Sequence, residues 1–362
     1  MLHLNNLWFV IVAVFWVGFF FLEGFDFGVG MLHSFLGRTD GERRAIVNTI
    51  GPFWDGNEVW LVVAVAVIFS AFPAWYATMF SGFYLILFLT LIALMIRGVS
   101  FEYTRKSEDP TWRSAFRWTL TIGSLAIPFL LGMTLGDLLQ GLPINSSHEY
   151  TGSFWNLLQP YGLYTGLTFV VTCLVLGVVF IVLKTEGPLH ERAFRWAKVI
   201  GWVGFFVVWG FVTWSHVGLG RGFVPDVWEA LAWLGALAVP VLIMGRLEGV
   251  PFICAGIAAA ACVASIFGEL YPNVMISSTS SANNLTITNA ISPPYTLHVM
   301  SAVAAIMVPI ILIYTAWGYH VYKQRLSTPR IDPTKLGHVQ PAVSSETADV
   351  APAAGDGADS VR

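Results

Sequence analysis

Residues 161–184 read YGLYTGLTFVVTCLVLGVVFIVLK, with no charge before Lys184 at the end. A helix that crosses a bilayer needs about 20 consecutive, mostly apolar residues. This stretch is long enough and apolar enough to be one. Working outward, the same reading picks out eight more stretches, at 7–35, 51–72, 75–97, 118–140, 198–217, 227–245, 250–271 and 297–322. Pro52, Pro225 and Pro251 stand at or just before helix starts, where a missing N–H costs nothing. Pro128 and Pro240 fall inside spans and predict kinks. The composition agrees: 56 % of the 362 residues are hydrophobic, only 11 % are charged, and mean hydropathy is +0.68. A soluble chain carries roughly 25 % charged residues. That shortage excludes a pair of soluble domains, and a net charge of −3 with no basic patch excludes a nucleic-acid binder. The expected fold is an all-α polytopic membrane protein. It has nine transmembrane helices, grouped by loop length as two four-helix bundles plus one extra helix.

Lysine and arginine set the orientation. With the N-terminus outside and nine alternating spans, all but one of the 19 basic residues fall in cytoplasmic loops or the C-terminal tail; Arg221 alone falls outside. The positive-inside rule then predicts N-out, C-in. In this scheme Arg97 opens the cytoplasmic loop 98–117. Loops 141–160 and 272–296 have no lysine or arginine, and the second is rich in Ser, Thr and Asn, which predicts a polar cap over the outer helix ends. The membrane domain is expected to cover 1–326, followed by a disordered cytoplasmic tail at 327–362. The first apolar run lacks a basic leader and a small-residue cleavage site and is too long for a signal peptide.

Ionisable groups inside spans are costly and mark function by default. The first span carries Glu23 and Asp26 in LEGFDFGVG; the second opens GPFWDGNEVWL with Asp55 and Glu58. Each pair has i,i+3 spacing and shares a helix face. At 1.5 Å per residue, Asp26 lies about 14 Å from the inner end of its helix, and Asp55 and Glu58 lie about 6 and 10 Å deep. Four carboxylates in the cytoplasmic half of a bilayer cannot all be charged unless cations or water meet them, so they have the character of a proton relay. Trp54, beside Asp55, offers an indole N–H to a water or carboxylate. The competing reading makes Asp55 and Glu58 ordinary N-terminal helix charges favoured by the macrodipole. Gly24 and Gly28 form a GxxxG that permits close packing, so an arginine or backbone group from another helix could satisfy Asp26 structurally.

The remaining polar residues predict less. His33, His216 and His298 do not fall at matched depths, so no haem or metal ligation is expected from them. Asp137 and Glu269 sit at outer helix ends and are expected to face water. Cys173, Cys254 and Cys262 lie in apolar runs and form no framework or CxxC pair. Trp and Tyr at span edges serve as interface anchors.

Taken together, EGFDFGVGML at 23–32 and LGRTDGERRAIVNTIGPFWDGNEVWL at 36–61 resemble subunit II of the cytochrome bd quinol oxidases. The resemblance continues through 81–105, GDLLQGLP at 136–143 and VPIILIYTAWGY at 308–319, covering roughly 5–325. It implies a bacterial plasma-membrane heterodimer that oxidises quinol and reduces dioxygen to water. In it, subunit I carries haem b, haem d and the quinol site, and this chain is the haem-free partner. It implies proton uptake from the cytoplasm, with Asp55 matching the acid of the WDGN motif and Glu23 and Asp26 matching the first-helix acids. It leaves open a quinone bound on this subunit and small accessory subunits. The alternatives are a proton-coupled secondary transporter using the same carboxylates, and a purely structural membrane scaffold.

Overall fold

The computed structural model describes residues 2–104, 106–220, 225–322 and 324–326. The tail expected at 327–362, and Arg221 in the outer loop, lie outside the described residues. The helices are α1 Leu2–Leu36, α2 Asp40–Asn48, α3 Trp54–Ala71, α4 Pro73–Gly82, α5 Tyr84–Tyr103, α6 Pro110–Gln140, α7 Pro160–Lys184, α8 Gly187–Thr213, α9 Val227–Met244, α10 Gly249–Leu270 and α11 Pro294–Val321. Among the described residues nine of these are long and apolar enough to cross a membrane; the short α2 and α4 are not among them.

The stretch 75–97, expected as one span, is a correction. The chain turns at Phe83, between α4 and α5. Ten residues of helix extend only about 15 Å, too short to cross. Gly82, a weak helix former, ends α4, and a methyl there would press on the Tyr150 ring from the loop between α6 and α7. The spanning segment is therefore α5, which starts nine residues later than expected and takes Arg97 into its interior.

Neighbouring helices pack largely in chain order: α5 on α6, α6 on α7, α7 on α8, α8 on α9 and α9 on α10. α1 packs against α3, α6, α7 and α10. The closest crossing is α1 over α7. A side chain at Gly28 would collide with the Cys173 carbonyl and Gly177, and one at Gly177 would collide with the Gly28 backbone. The GxxxG expected to permit close packing does so, against α7 rather than an unnamed partner. Aromatic rings of α1 fill the rest of the contact: Phe20 lies 4.2 Å from Phe169, and Phe25 stacks 4.3 Å from Phe180.

The polar loops form the expected cap at one end. A short antiparallel ladder pairs β1 Asn273–Met275 with β2 Leu285–Thr286. Ser277, Thr279 and Asn283 all donate to the Ile144 carbonyl, and Asn5 of α1 donates to Ile287 O at 2.9 Å. At the opposite, arginine-rich end, α2 is tied to α8: Arg192 donates to Leu36 O at 2.8 Å and to Glu42 at 2.6 Å. Burial works to raise the Glu42 pKa, but the hydrogen bonds from Arg192 and the Arg38 amide outweigh it and hold the carboxyl below its ordinary value.

Candidate functional site

The site begins with α1. Glu23 and Asp26 are both fully buried, one turn apart on the face turned toward α3 and α5. From α5, Arg97, also fully buried, brings Nη1 to 2.6 Å from Glu23 Oε1. Its guanidinium carbon lies 4.8 Å from the Phe27 ring centre and 5.2 Å from that of Phe101, so the cation sits between two aromatic faces. From α3, Asn57 donates to Asp26 Oδ2 at 2.7 Å and to the Leu22 carbonyl at 3.1 Å. From α11, Tyr319 donates to Asn57 Oδ1 at 2.9 Å while its ring stacks on Phe53, 4.5 Å away. Four helices thus meet on two carboxylates and one guanidinium.

The arrangement is held by charge more than by aligned hydrogen bonds. Despite the 2.6 Å approach, no guanidinium nitrogen of Arg97, neither oxygen of Glu23 and not Asp26 Oδ1 has a well-directed hydrogen-bond partner among the described residues. An unpaired charge in hydrocarbon is far costlier than a paired one, which accounts for the arginine. Polar atoms in this condition are ones that ordered water serves in folded proteins. The chemistry such a cluster offers is proton transfer: two carboxylates share one cation, with a hydrogen-bond chain leading through Asn57 to a phenol.

The sequence-predicted acids do not all meet here. Glu58 is half-buried on α3 and interacts electrostatically with Arg97 and with Asp55. Asp55 stands apart from the buried pair: it is exposed, in the first turn of α3. Trp54 places its ring against Phe101, 4.6 Å away, rather than over a carboxylate. Arg97, expected in a loop, is the cation of the site. Asn57 and Tyr319 were not singled out in the sequence, although both lie in the quoted motifs.

Asp137 and Glu269, expected to face water, are also corrected. Asp137 is fully buried in the last turn of α6, with both oxygens lacking a hydrogen-bond partner among the described residues. It lies so close to the Gly162 Cα on α7 that any side chain there would collide with it. Glu269 is only partly exposed, and its carboxylate oxygens are buried.

The histidines do not fit a haem. His33 is buried with Nδ1 on the Gly30 carbonyl, beside a cavity of about 70 Å³ that is too small for a porphyrin. His216 is engaged with Glu229, and His298 with the Pro294 carbonyl on the outer face of α11.

Comparison with known proteins follows the same line. Residues 4–322 match the family described as cytochrome bd terminal oxidase subunit II. The chain is 41 % identical to the Bacillus subtilis cytochrome bd ubiquinol oxidase subunit 2, over 90 % of this chain and 98 % of that one. It is 37 % identical to the Escherichia coli cytochrome bd-I ubiquinol oxidase subunit 2, over 87 % of this chain and 93 % of that one. Its fold resembles a chain in the structure of the bd oxidase from Geobacillus thermodenitrificans, with a TM-score of 0.69 at 16 % identity, over 88 % of this chain and 98 % of that chain. With the match running through every spanning helix, this chain belongs to the family of cytochrome bd terminal oxidase subunit II.

Proposed function

We propose that this chain is the haem-free second subunit of a quinol oxidase, and that its own residues carry protons toward the site of dioxygen reduction on a partner subunit. Haem b and haem d, held on that partner, supply the oxygen chemistry, and quinol is oxidised there too. This chain braces the partner in the membrane and takes up protons from the cytoplasm, with its N-terminus outside and its C-terminus inside. The observation that carries the proposal is the buried Glu23–Arg97–Asp26 cluster, with Asn57 and Tyr319 attached.

A group that only stabilises the fold would be better served by apolar packing, because a buried ion pair rarely adds net stability. Exposed Asp55 is suited to collect a proton, Glu58 continues from it along α3, and Asp26 lies at the buried end. The basic end of the bundle is also where Arg43, Arg44, Arg113 and Arg117 surround the chain, which supports assigning that end to the cytoplasm. A proton-coupled transporter would use similar carboxylates, but membership in a terminal-oxidase family favours the oxidase.

Asp26→Asn is the test. The amide keeps the size of the carboxylate and can still pair with Asn57, but it cannot carry a proton. In the purified complex, haem content is expected to be unchanged, and oxygen consumption per haem to fall on the order of tenfold or more. Turnover at the wild-type rate with the haem bands intact would remove Asp26 from the pathway.

A further inference from the structure

At the capped end, three potential metal ligands meet that play no part in the proton cluster. α8 runs into a single π-helical turn, Trp214–Gly218, which carries His216. The first turn of α9 carries Glu229, and the last turn of α10 carries Glu269. One ligand atom from each lies within 4.8 Å of the other two. We propose that His216, Glu229 and Glu269 bind one divalent transition-metal ion of the zinc class.

Glu229 makes the group more than a cluster of charges. It is fully buried; its Oε2 accepts from the Asp226 amide at 2.9 Å and lies 2.9 Å from His216 Nδ1. That capping box fixes the carboxylate in the α9 N-terminus. Its second oxygen, Oε1, is buried and has no hydrogen-bond partner among the described residues. A buried carboxylate oxygen normally has one, so this atom is oriented by the fold and left with lone pairs to give.

The donor set selects the ion. Calcium and magnesium favour sites made of oxygen alone, whereas one imidazole with carboxylates suits zinc. Zinc holds nitrogen and oxygen ligands at about 2.0–2.2 Å, so side-chain rotation must draw the three atoms together from their present spread. His216 would exchange its contact with Glu229, and Glu269 its present partner, for the metal bond. A cavity of about 370 Å³, lined by Trp209, Thr213, His216, Pro225 and Trp233, opens beside the imidazole and gives the ion a way in. Three helix ends that otherwise meet through loops would then be clamped at one point. π-helical turns recur at functional sites, and here the turn supplies the nitrogen ligand.

The inference does not depend on the proton pathway. Its test uses the whole purified complex, treated with EDTA, dialysed and titrated with zinc alone, with bound zinc counted by mass spectrometry and heat. Zinc is expected to bind at one ion per chain. His216→Ala and Glu269→Gln should each weaken binding roughly tenfold or more while leaving haem content unchanged. X-ray absorption at the zinc edge should report one nitrogen and at least two oxygen neighbours in the wild type. Equal zinc binding in wild type and both variants would overturn the proposal, as would preference for calcium over zinc at the same site. Glu229→Gln is avoided as the sole variant because it also disturbs the α9 cap.

Discussion

α7 and α11 are nearly alike as sequences and opposite as structures. Their most apolar windows have mean hydropathies of 2.8 and 2.3, yet 83 % of the first is buried inside the chain and only 6 % of the second. Hydropathy measures whether a segment tolerates lipid; it does not say whether another helix displaces the lipid. The small residues make the difference. α7 presents Gly162, Thr165, Gly166, Cys173 and Gly177 to its neighbours, and α1, α6, α8 and α10 all pack on it. α11 presents Val303, Ile306, Ile310, Ile313 and Trp317 outward and leans chiefly on α3. In lipid there is little hydrophobic gain from burying apolar surface, so close backbone approach decides which helix becomes central.

The strongest way to break this contrast is Gly177→Leu. The Gly28 backbone fills the space a side chain would need, so α1 and α7 must separate or the chain must not assemble. Overpacking here is expected to cost about 3 kcal/mol or more. Size-exclusion chromatography of the detergent-solubilised complex should show little assembled protein. Normal yield and haem content would mean that the α1–α7 crossing tolerates separation and is not what makes α7 central.

A smaller change tests how α11 is held. Lys184, the last residue of α7, donates to the Tyr322 carbonyl just beyond α11 at 2.6 Å, and Leu326 N returns a bond to Lys184 O at 2.8 Å. The ammonium also lies 5.6 Å from the Phe53 ring centre and 5.8 Å from that of Phe180. Lys184→Met keeps the stem and loses the charge-assisted bond, at a cost of about 2 kcal/mol. The midpoint of heat-induced dissociation of the complex should fall, and Lys184→Arg should restore most of it. An unchanged midpoint in the methionine variant would show that this tether does not secure α11.

The same contrast shows what could be read from the sequence. The nine spans and the polar cap were legible because apolar length and the absence of charge are local properties. The acids of α1 were legible as costly, since nothing local could satisfy them. Arg97 was not. It follows a long uncharged run and was placed in a loop by the same charge count that supports the orientation; only the turn at Phe83 moves it into the membrane. Asn57 and Tyr319 are joined across 262 positions, and no periodicity encodes that pairing. Asp137 was misread because a helix end in the sequence looks like a water interface, whereas the cap covers it. Asp55 shows the limit of counting residues: the apolar run begins at 51, but α3 begins at Trp54, which puts Asp55 in its first turn.

The smallest expected effect is the most informative about α11 itself. Tyr319→Phe removes one hydroxyl and keeps the ring stacked on Phe53, 4.5 Å away with planes 5° apart. Asn57 Oδ1 then loses its donor in a place where Asn57 is 2 % exposed. Its amide still holds Asp26, so the site should survive with a loss of about 1 kcal/mol, read as a small fall in the dissociation midpoint. Ile313→Ala serves as the contrast six residues away. Its side chain is 70 % exposed in this chain, so against lipid alone the change should move the midpoint by no more than about 0.5 kcal/mol. A larger loss at Ile313 than at Tyr319 would reverse the order. It would mean that the outward face of α11 is covered in the assembled oxidase, and that α11 is peripheral to its own chain because it is shared with another. A loss at Tyr319 alone would leave α11 as a lipid-facing helix held at its end by this phenol and the Lys184 tether, with its outward face adding nothing.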